Sequence, residues 1–439
     1  MDYTHARREG LREFALCNQA HTDPYLPVLE EKVPNLAQLS RLSLGVMSIP
    51  LDRVVGSVSQ GRSYAFARNF MPIIESGSEF SSKWERLYES VKEKGVNVPI
   101  TALEYMGYYY VIEGNKRTSV MKSMDAEEIE ADVTRVVPER TGDPENIAYF
   151  EYCAFTRETG FYSLLFTRPG SYGKLVALPG VRAGETWTQD EILSLRKIYR
   201  YFSSAYGALL KEHASREGKM QPVGDAFLAY LIAFNYQVVR DEDLEKTTER
   251  VRLMAREFEL EEKVELVMAS SPQPAPAVPL ISALFRPSKV RAAFLFTRSV
   301  EESAWNYWHN LGRLDVEARL GDRVETVARI VPSRGDFNPV IEELRKEGYT
   351  TVFATSPVMQ NSSIEPSLEY PGMKFFCCSL LSPYTSIPTY YIRFYEAKFL
   401  MGMAAGILAK NGRIGYIADF PIFGAPSAAN AFALGARMV

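Results

Sequence analysis

An acid, an indole and an imidazole lie close together in the C-terminal part of the chain, at Glu302, Trp305 and His309. They follow an apolar, strand-like run, residues 290–297, and lead into a predicted helix. In open α/β sheets, small ligands bind at the carboxyl ends of the strands. There, these side chains could stack on a flat heterocycle and hydrogen-bond its polar edge. The same spacing is also typical of a helix whose aromatic residues only cover a sheet.

A second group of candidates follows a predicted hairpin, residues 98–112, in the N-terminal region. Its members are Glu113, Gly114, Asn115, Lys116 and Arg117. A strand, a Gly turn, basic residues and a helix start predict an anion cradle, because helix N-terminal N–H groups and cations converge on phosphate. For Glu113 we favour a cap or salt-bridge partner over a catalytic acid.

Two arginines upstream of this group, Arg62 and Arg68, could supply further phosphate contacts. The alternative is that both are solvated surface charge, which we favour from the sequence.

The elements around the first group alternate between strand and helix. Strands are predicted at residues 290–297, 324–331, 350–355 and 374–378, with a crossover helix at 338–346. This order predicts an α/β fold with a doubly wound parallel sheet. Ligand contacts are then expected after the strands, at Ser356 and in the loop after Ser379 as well as near Trp305.

Composition narrows the class of protein. The chain has 439 residues, 46% hydrophobic and 24% charged, which suggests two or three domains. A net charge of −4 does not favour nucleic acid or an anionic membrane as a partner. No run approaches the ~20 apolar residues of a membrane span. HExxH, Walker A and metal-ligand spacings are absent from the sequence, so no metal is predicted. The four cysteines form no C-x-x-C pair and are predicted to be free, mostly buried thiols.

The chain divides into four predicted segments: a domain at 1–139, a helical domain at 140–269, a Pro/Ala-rich linker at 270–289 and a domain at 290–439. In the helical domain, Thr188 and Glu191 form a predicted capping box. Residues 225–234 predict a buried helix, and 241–250 a charged amphipathic one. No stripe of Arg and Lys is present, so nucleic-acid binding is unsupported and a spacer or an interface for a protein partner or homo-oligomer is favoured.

The last segment resembles the basic-membrane-protein, PnrA-like family of ABC-transporter substrate-binding proteins. The resemblance rests on Trp305, His309, Gly312 and Arg313 and on residues 352–356, 370–375, 393–406, 414–422 and 430–437. It implies a periplasmic-binding-protein fold and a purine or nucleoside-type ligand held by Glu302, Trp305, His309, Ser356 and Asn430. Three positions depart from the family pattern: Glu302 replaces Asp, and Glu301 and Ala304 replace Gly.

The first segment resembles the ParB/sulfiredoxin-like nucleotide-binding domain, over about residues 48–138. The order of helix, strand, turn, strand and Gly-x-x-Arg box carries the resemblance, with Gly114 and Arg117 at the box positions. It implies that CTP or ATP binds at Gly114, Asn115, Lys116, Arg117 and Arg62. In some members an acid precedes the Gly, where Glu113 stands here, and the box transfers phosphate.

Two features bear on location and completeness. The first residues have no apolar signal-peptide core and no lipobox cysteine, so we expect a cytoplasmic protein. Binding proteins of this family close two lobes around a ligand, and the predicted second lobe is incomplete at Val439. We therefore expect the sequence to be a fragment of a longer protein, in which a strand over 415–420 opens the second lobe and Asn430 in the helix after it faces the cleft.

Three functions follow as hypotheses. We favour a cytoplasmic sensor or regulator that binds a purine or nucleoside and carries a nucleotide-binding module. The second is a nucleotide-dependent phosphotransferase or hydrolase using Glu113 and Arg117. The third is the substrate-binding component of an ABC importer.

Overall fold

The structure, a computed structural model, describes residues 2–95, 98–178, 187–213, 219–260, 289–333, 335–418 and 425–439. Contacts divide the chain into two compact units, residues 1–199 with 222–225, and residues 200–221 with 226–439. The predicted domain boundaries at residues 139, 269 and 289 stay predictions. Apart from Lys289, the predicted linker lies outside the described residues.

The first unit contains a five-stranded mixed sheet. Its strands are β1 (Ser40–Pro50), β2 (Val54–Ser57), β3 (Ile100–Tyr105), β4 (Tyr108–Glu113) and β5 (Glu128–Val137). Their order is β1-β5-β3-β4-β2, with β3 parallel to β5 and antiparallel to β4. Met106 and Gly107 both have positive φ, 53° and 83°, as a two-residue hairpin turn requires. The predicted hairpin is confirmed.

Helices cover this sheet. They are α1 (Tyr3–Gln19), α2 (Leu29–Lys32), α3 (Glu79–Lys94), α4 (Asn115–Ser123), α5 (Pro144–Thr159) and α6 (Ser171–Ala177). Trp84 of α3 is fully buried and donates its indole N–H to Ser119 of α4 at 2.9 Å. This contact holds the start of α4 at the end of β4, where the Gly-x-x-Arg box lies.

A buried polar cluster joins the hairpin to α5. The fully buried carboxylate of Glu104 accepts hydrogen bonds from Arg135, from the Gly107 N–H at 2.7 Å and from the Tyr149 hydroxyl at 3.1 Å. A buried ion pair is strongly destabilised when one partner is removed. The cluster therefore ties α5, beyond the predicted boundary at residue 139, to the sheet.

The helical region follows. Its helices are α7 (Gln189–His213), α8 (Val223–Phe234), α9 (Tyr236–Val239) and α10 (Leu244–Leu253). The capping box is confirmed, because Thr188 and Glu191 exchange hydrogen bonds of 2.7 and 3.3 Å. The buried helix is confirmed as α8. The charged helix is confirmed as α10, and its Asp243 cap accepts from the Lys246 N–H at 2.9 Å.

The second unit also contains a five-stranded sheet, and this one is parallel throughout. Its strands are β6 (Val290–Phe296), β7 (Val324–Ile330), β8 (Thr351–Ala354), β9 (Lys374–Cys378) and β10 (Thr389–Tyr390). The order is β10-β9-β8-β6-β7. The four predicted strands and their parallel pairing are confirmed, whereas β10 was not predicted.

The helices that follow these strands are α11 (Ala304–Leu320), α12 (Asn338–Lys346), α13 (Gln360–Glu369), α14 (Phe394–Leu408) and α15 (Ala425–Met438). Helices α14 and α15 pack closely against each other: a Cβ on Gly402 would lie 2.0 Å from the Phe432 carbonyl oxygen. Glycine is thus required at this helix crossing. Within the part of the chain that the structure describes, no helix has the length and apolarity to cross a membrane.

One predicted element is not formed. The sequence predicts a strand over residues 415–420; residues 415–418 are neither strand nor helix, and residues 419–420 lie outside the described residues. The side chain of Ile417 is 97% exposed. A strand needs a neighbour for its backbone hydrogen bonds, and none lies beside this segment among the described residues.

Candidate ligand site

The start of α11 lies at the carboxyl ends of β6 and β8. Ser303 caps this helix by accepting from the Asn306 N–H at 3.3 Å. Trp305, in the first turn, donates its indole N–H to the Thr355 carbonyl at 2.6 Å. Since Thr355 directly follows β8, this bond holds the indole at the sheet edge where α/β proteins bind ligands.

Four rings form what we call the aromatic wall: Trp305, His309, Tyr390 and Phe394. The Trp305 ring centroid lies 5.0 Å from that of His309 and 5.8 Å from that of Phe394. The His309 ring lies 6.4 Å from Tyr390. Offset and tilted aromatic pairs at these separations are favourable. The wall thus brings together the ends of three chain segments at one edge of the sheet.

His309 is neutral at physiological pH in this setting. Its Nδ1 lies 2.9 Å from the Trp305 carbonyl oxygen, which makes Nδ1 the protonated nitrogen and Nε2 the acceptor. Burial lowers the pKa of His309, and the bond to the Trp305 carbonyl opposes this. The side chain therefore presents an uncharged acceptor rather than a cation.

Two buried polar atoms of these elements have no hydrogen-bond partner within the described residues, namely Tyr390 Oη in the wall and Asn306 Oδ1 in the first turn of α11. Burial raises the pKa of Tyr390, so its hydroxyl keeps its proton and remains a donor. A buried polar group without a partner costs about 1–3 kcal/mol. A ligand that supplies one acceptor and one donor would recover part of that cost.

The other predicted residues differ in position. Glu302 is exposed in the loop before α11, and Ser356 is half-buried in the loop after β8. Asn430 is exposed on α15, whose main packing partner is α14. The structure thus brings Trp305 and His309 together, and no described contact connects Asn430 with them.

Sequence reasoning missed Tyr390 and Phe394. Both lie in an aromatic run, residues 389–395, which begins with β10 and ends in the first turn of α14. The density of aromatic residues there could have indicated a ligand site. The sequence of the loop, residues 379–388, does not tell at which strand the chain returns to the sheet. Only the parallel pairing of β10 with β9 brings Tyr390 next to His309.

In the first unit, Gly114 has a backbone that only glycine adopts easily. Its φ is 117°, and a Cβ there would lie 2.5 Å from Ile100 Cγ2. The helix α4 begins directly after it, and its first intrahelical bond runs from the Thr118 N–H to the Gly114 carbonyl at 2.9 Å. The Gly of the box is therefore explained by the turn from β4 into α4.

The cations of the box contact the protein itself. Arg117 Nη1 donates to the carbonyls of Val98 and Pro99, each at 2.6 Å. The Lys116 ammonium lies 4.2 Å from the Phe80 ring centroid, at cation–π distance. The roles predicted for these side chains toward a nucleotide stay predictions.

The remaining box residues are placed as follows. Asn115 Nδ2 lies 3.5 Å from Ser57 Oγ. The Glu113 side chain is 82% exposed and lies 4.0 Å from Arg117 Nη2, at the limit of an ion pair. Arg62 lies in the 3-10 helix Gln60–Ala65, and its side chain is outside the described part of the structure.

Metal and thiol chemistry find little support in the described residues. No group of three or more His, Cys, Asp or Glu side chains gathers there as metal ligands. Cys17, Cys377 and Cys378 are buried free thiols and Cys153 is half-buried. Burial raises the pKa of Cys377 and of Cys378 to about 12, so both thiols stay protonated.

The parallel sheet of the second unit fits an α/β fold of the Rossmann or periplasmic-binding kind. Residues 289–439 match the family described as ABC transporter substrate-binding protein PnrA-like. The predicted resemblance of the C-terminal region is thereby confirmed.

Two curated relatives each match about a third of the chain. A purine-binding protein of Brucella abortus is 27% identical over 152 residues, 34% of this chain and 43% of that protein. A putative ABC transporter glucose-binding protein of Haloferax volcanii is 29% identical over 150 residues, 34% of this chain and 38% of that protein. The chain thus spans less than half the length of either relative.

One similar solved structure is the sulfiredoxin of Arabidopsis thaliana. It is 19% identical, covers 20% of this chain and 82% of the sulfiredoxin chain, and has a TM-score of 0.15. A TM-score of this size does not show a shared fold, so the ParB/sulfiredoxin-like assignment stays a prediction.

Proposed function

We propose that the C-terminal region binds a purine or purine nucleoside at the aromatic wall and that the chain is a ligand-sensing protein. The observation that carries this is the position of the wall at the carboxyl ends of parallel strands. The purine named for the Brucella abortus relative supports the ligand class. The Haloferax volcanii relative is named as a putative glucose-binding protein, so glucose is the alternative ligand.

Aromatic rings favour the purine. Stacking on one aromatic side chain contributes about 1–3 kcal/mol per base. A flat base between Trp305 and Phe394 needs roughly 7 Å between the two rings, twice a van der Waals contact. Their centroids are 5.8 Å apart, so binding between them moves Phe394, the first residue of α14, outward.

Polar atoms then select the base. Tyr390 Oη offers a donor, and Asn306 Oδ1 and His309 Nε2 offer acceptors. A purine carries ring-nitrogen acceptors, and its amino or N–H groups are donors. Glu302 and Ser356 add an exposed acid and a hydroxyl, and we assign them to the sugar or to the outer edge of the base.

Calorimetry on the full chain tests the proposal, with adenosine, guanosine and glucose as ligands. Trp305→Ala should weaken nucleoside binding by about tenfold to a hundredfold, as expected for one lost stack. Trp308→Ala is the matched control, because Trp308 lies on the same helix with its side chain 68% exposed. Equal affinity of Trp305→Ala and wild type would remove the assigned site, and glucose binding alone would replace the ligand class.

A sensing role requires the protein to be in the cytoplasm, which is our expectation from the sequence. Fractionation of cells that express the complete gene tests this. Recovery with the cytoplasmic fraction supports a sensor. Recovery outside the membrane would instead favour the importer component.

The second candidate function concerns the Gly-x-x-Arg box. The observation that favours it is the glycine-requiring turn at Gly114 followed directly by a helix N-terminus, which suits an anion. We assign CTP or ATP to this place, with Glu113 and Arg117 as the residues to test. Turnover of either nucleotide that disappears in Glu113→Gln would support a phosphotransferase or hydrolase, and no turnover would exclude one.

A further inference from the structure

A carboxylate of the helical region is bound to a loop of the ligand edge. Glu257 lies in the 3-10 helix Ala255–Phe258 after α10, and it is 6% exposed. Its two oxygens accept from the Thr385 N–H and hydroxyl, both at 2.8 Å, and from the Ser386 N–H at 2.9 Å. Hydrogen bonds to an ionised acceptor are shorter and stronger than neutral ones. This loop is therefore held from outside its own sheet.

A second contact joins the same two parts of the unit. Arg250 of α10 is buried and pairs with Glu365 of α13 at 2.6 Å and with Glu242 at 3.0 Å. Its guanidinium also lies 4.3 Å from the Phe234 ring centroid. The ion pair with Glu365 thus joins α10 directly to α13 of the sheet domain.

The held loop leads directly into the aromatic wall. Thr385 and Ser386 lie in the segment between β9 and β10, and the chain reaches Tyr390 four residues after Ser386. Phe394 follows after another four. Ile387, directly after the held pair, is fully buried, and only two residues separate it from Tyr390.

We propose that Glu257 is a positioning residue that couples the helical region to ligand binding, by holding the segment that carries Tyr390 and Phe394. This inference rests on the proposed purine site. When a base separates Trp305 and Phe394, the segment is pulled at its far end, and Glu257 transmits the pull to α10. The helical region thereby acquires a conformation that depends on the ligand.

Hydrogen exchange on the full chain tests the holding step without any ligand. Glu257→Gln should increase exchange of the Thr385 and Ser386 amides at least tenfold, because a carboxamide offers one acceptor where the carboxylate offers two. Glu245→Gln is the control, an exposed acid on α10. Unchanged exchange in Glu257→Gln would overturn the inference.

The milder pair Thr385→Val and Thr385→Ser guards against a variant that fails to fold. Thr385 is exposed, so both variants leave the core intact. Valine removes the hydroxyl donor and should give an intermediate rise in exchange, whereas serine should restore the wild-type rate. Equal rates in both would show that the hydroxyl contact does not hold the loop.

Adenosine tests the coupling. In wild type it should slow exchange in the peptide that spans α10 and Glu257, and in Glu257→Gln it should bind about tenfold more weakly without that slowing. Wild-type affinity and slowing in Glu257→Gln would overturn the coupling while the purine site stands. No adenosine binding by wild type would overturn the purine proposal and with it the coupling, and ligand-free exchange would still decide whether Glu257 holds the loop.

Discussion

The two candidate sites have the same local plan and use it differently. In each, a strand ends, a turn or loop follows and a helix begins with candidate residues in its first turns. At the Gly-x-x-Arg box, Arg117 donates to two carbonyls of its own domain. Among the described residues, buried polar atoms without a partner occur at both places, Asn115 Oδ1 in the box and Tyr390 Oη in the aromatic wall. A local motif therefore indicates a candidate place, and the packing around it decides whether its groups stabilise the fold or face a ligand.

In the first unit, the buried charges of Glu104 and Arg135 stabilise the fold. An acid and a base side by side would suit a catalytic pair. Here the carboxylate of Glu104 instead binds Arg135 and the Tyr149 hydroxyl, and these bonds join the hairpin to α5. Unpaired polar atoms at the wall are costly unless something binds to them. Four changes test this comparison.

The largest effect is expected for Glu104→Gln. The substitution leaves Arg135 buried without a counter-charge, so the free energy of unfolding should fall by about 3–5 kcal/mol. Urea denaturation measures it. Glu113→Gln is the matched control, because its side chain is 82% exposed, and it should change little. A small loss in Glu104→Gln would mean that the cluster is not structural.

Gly114→Ala should be next. The new Cβ meets Ile100 at 2.5 Å and φ is 117°, so strain and overpacking together should cost about 2–4 kcal/mol. Gly142→Ala is the control, since a Cβ there meets nothing within 4 Å. Equal melting temperatures for the two variants would contradict the explanation of the box glycine.

Arg117→Ala separates the two roles of the box. Loss of charged hydrogen bonds to Val98 and Pro99 should lower the free energy of unfolding by about 1.5–3 kcal/mol. The exposed Arg86 supplies the control variant Arg86→Ala. If Arg117→Ala keeps full stability and yet loses ATP binding, the arginine binds a ligand. The box and the aromatic wall would then both present their polar groups to a ligand.

The smallest effect is a pH dependence from His309. Burial lowers its pKa in the folded state below the ordinary value near 6.5, so the unfolded state binds more protons between the two values. Its contribution to stability is complete above pH 6.5 and is lost as the pH falls toward the folded-state pKa. The melting temperature of wild type should therefore drop more than that of His309→Gln between pH 7.5 and 5.5. Parallel curves would show that His309 is not a buried neutral side chain.

Much of the second unit could be predicted from sequence, because apolar runs that alternate with amphipathic segments indicate which residues are buried in strands and in helices. β9 and α12 have the predicted bounds, residues 374–378 and 338–346. The strand predicted over 415–420 was wrong in its described part, residues 415–418, because strand propensity does not provide a pairing neighbour. Tyr390 was missed because a ten-residue loop conceals which strand it pairs with.

The sequence by itself determined the elements, the turn at Gly114 and the place of Trp305 and His309 after a strand. These depend on neighbours within a few residues, which the order of residues specifies. Only the tertiary structure decided that Arg117 faces carbonyls, that Phe394 and Tyr390 complete the wall, and that Glu257 holds Thr385. Such contacts join residues far apart in the chain, and their geometry is set by packing, which no local pattern encodes.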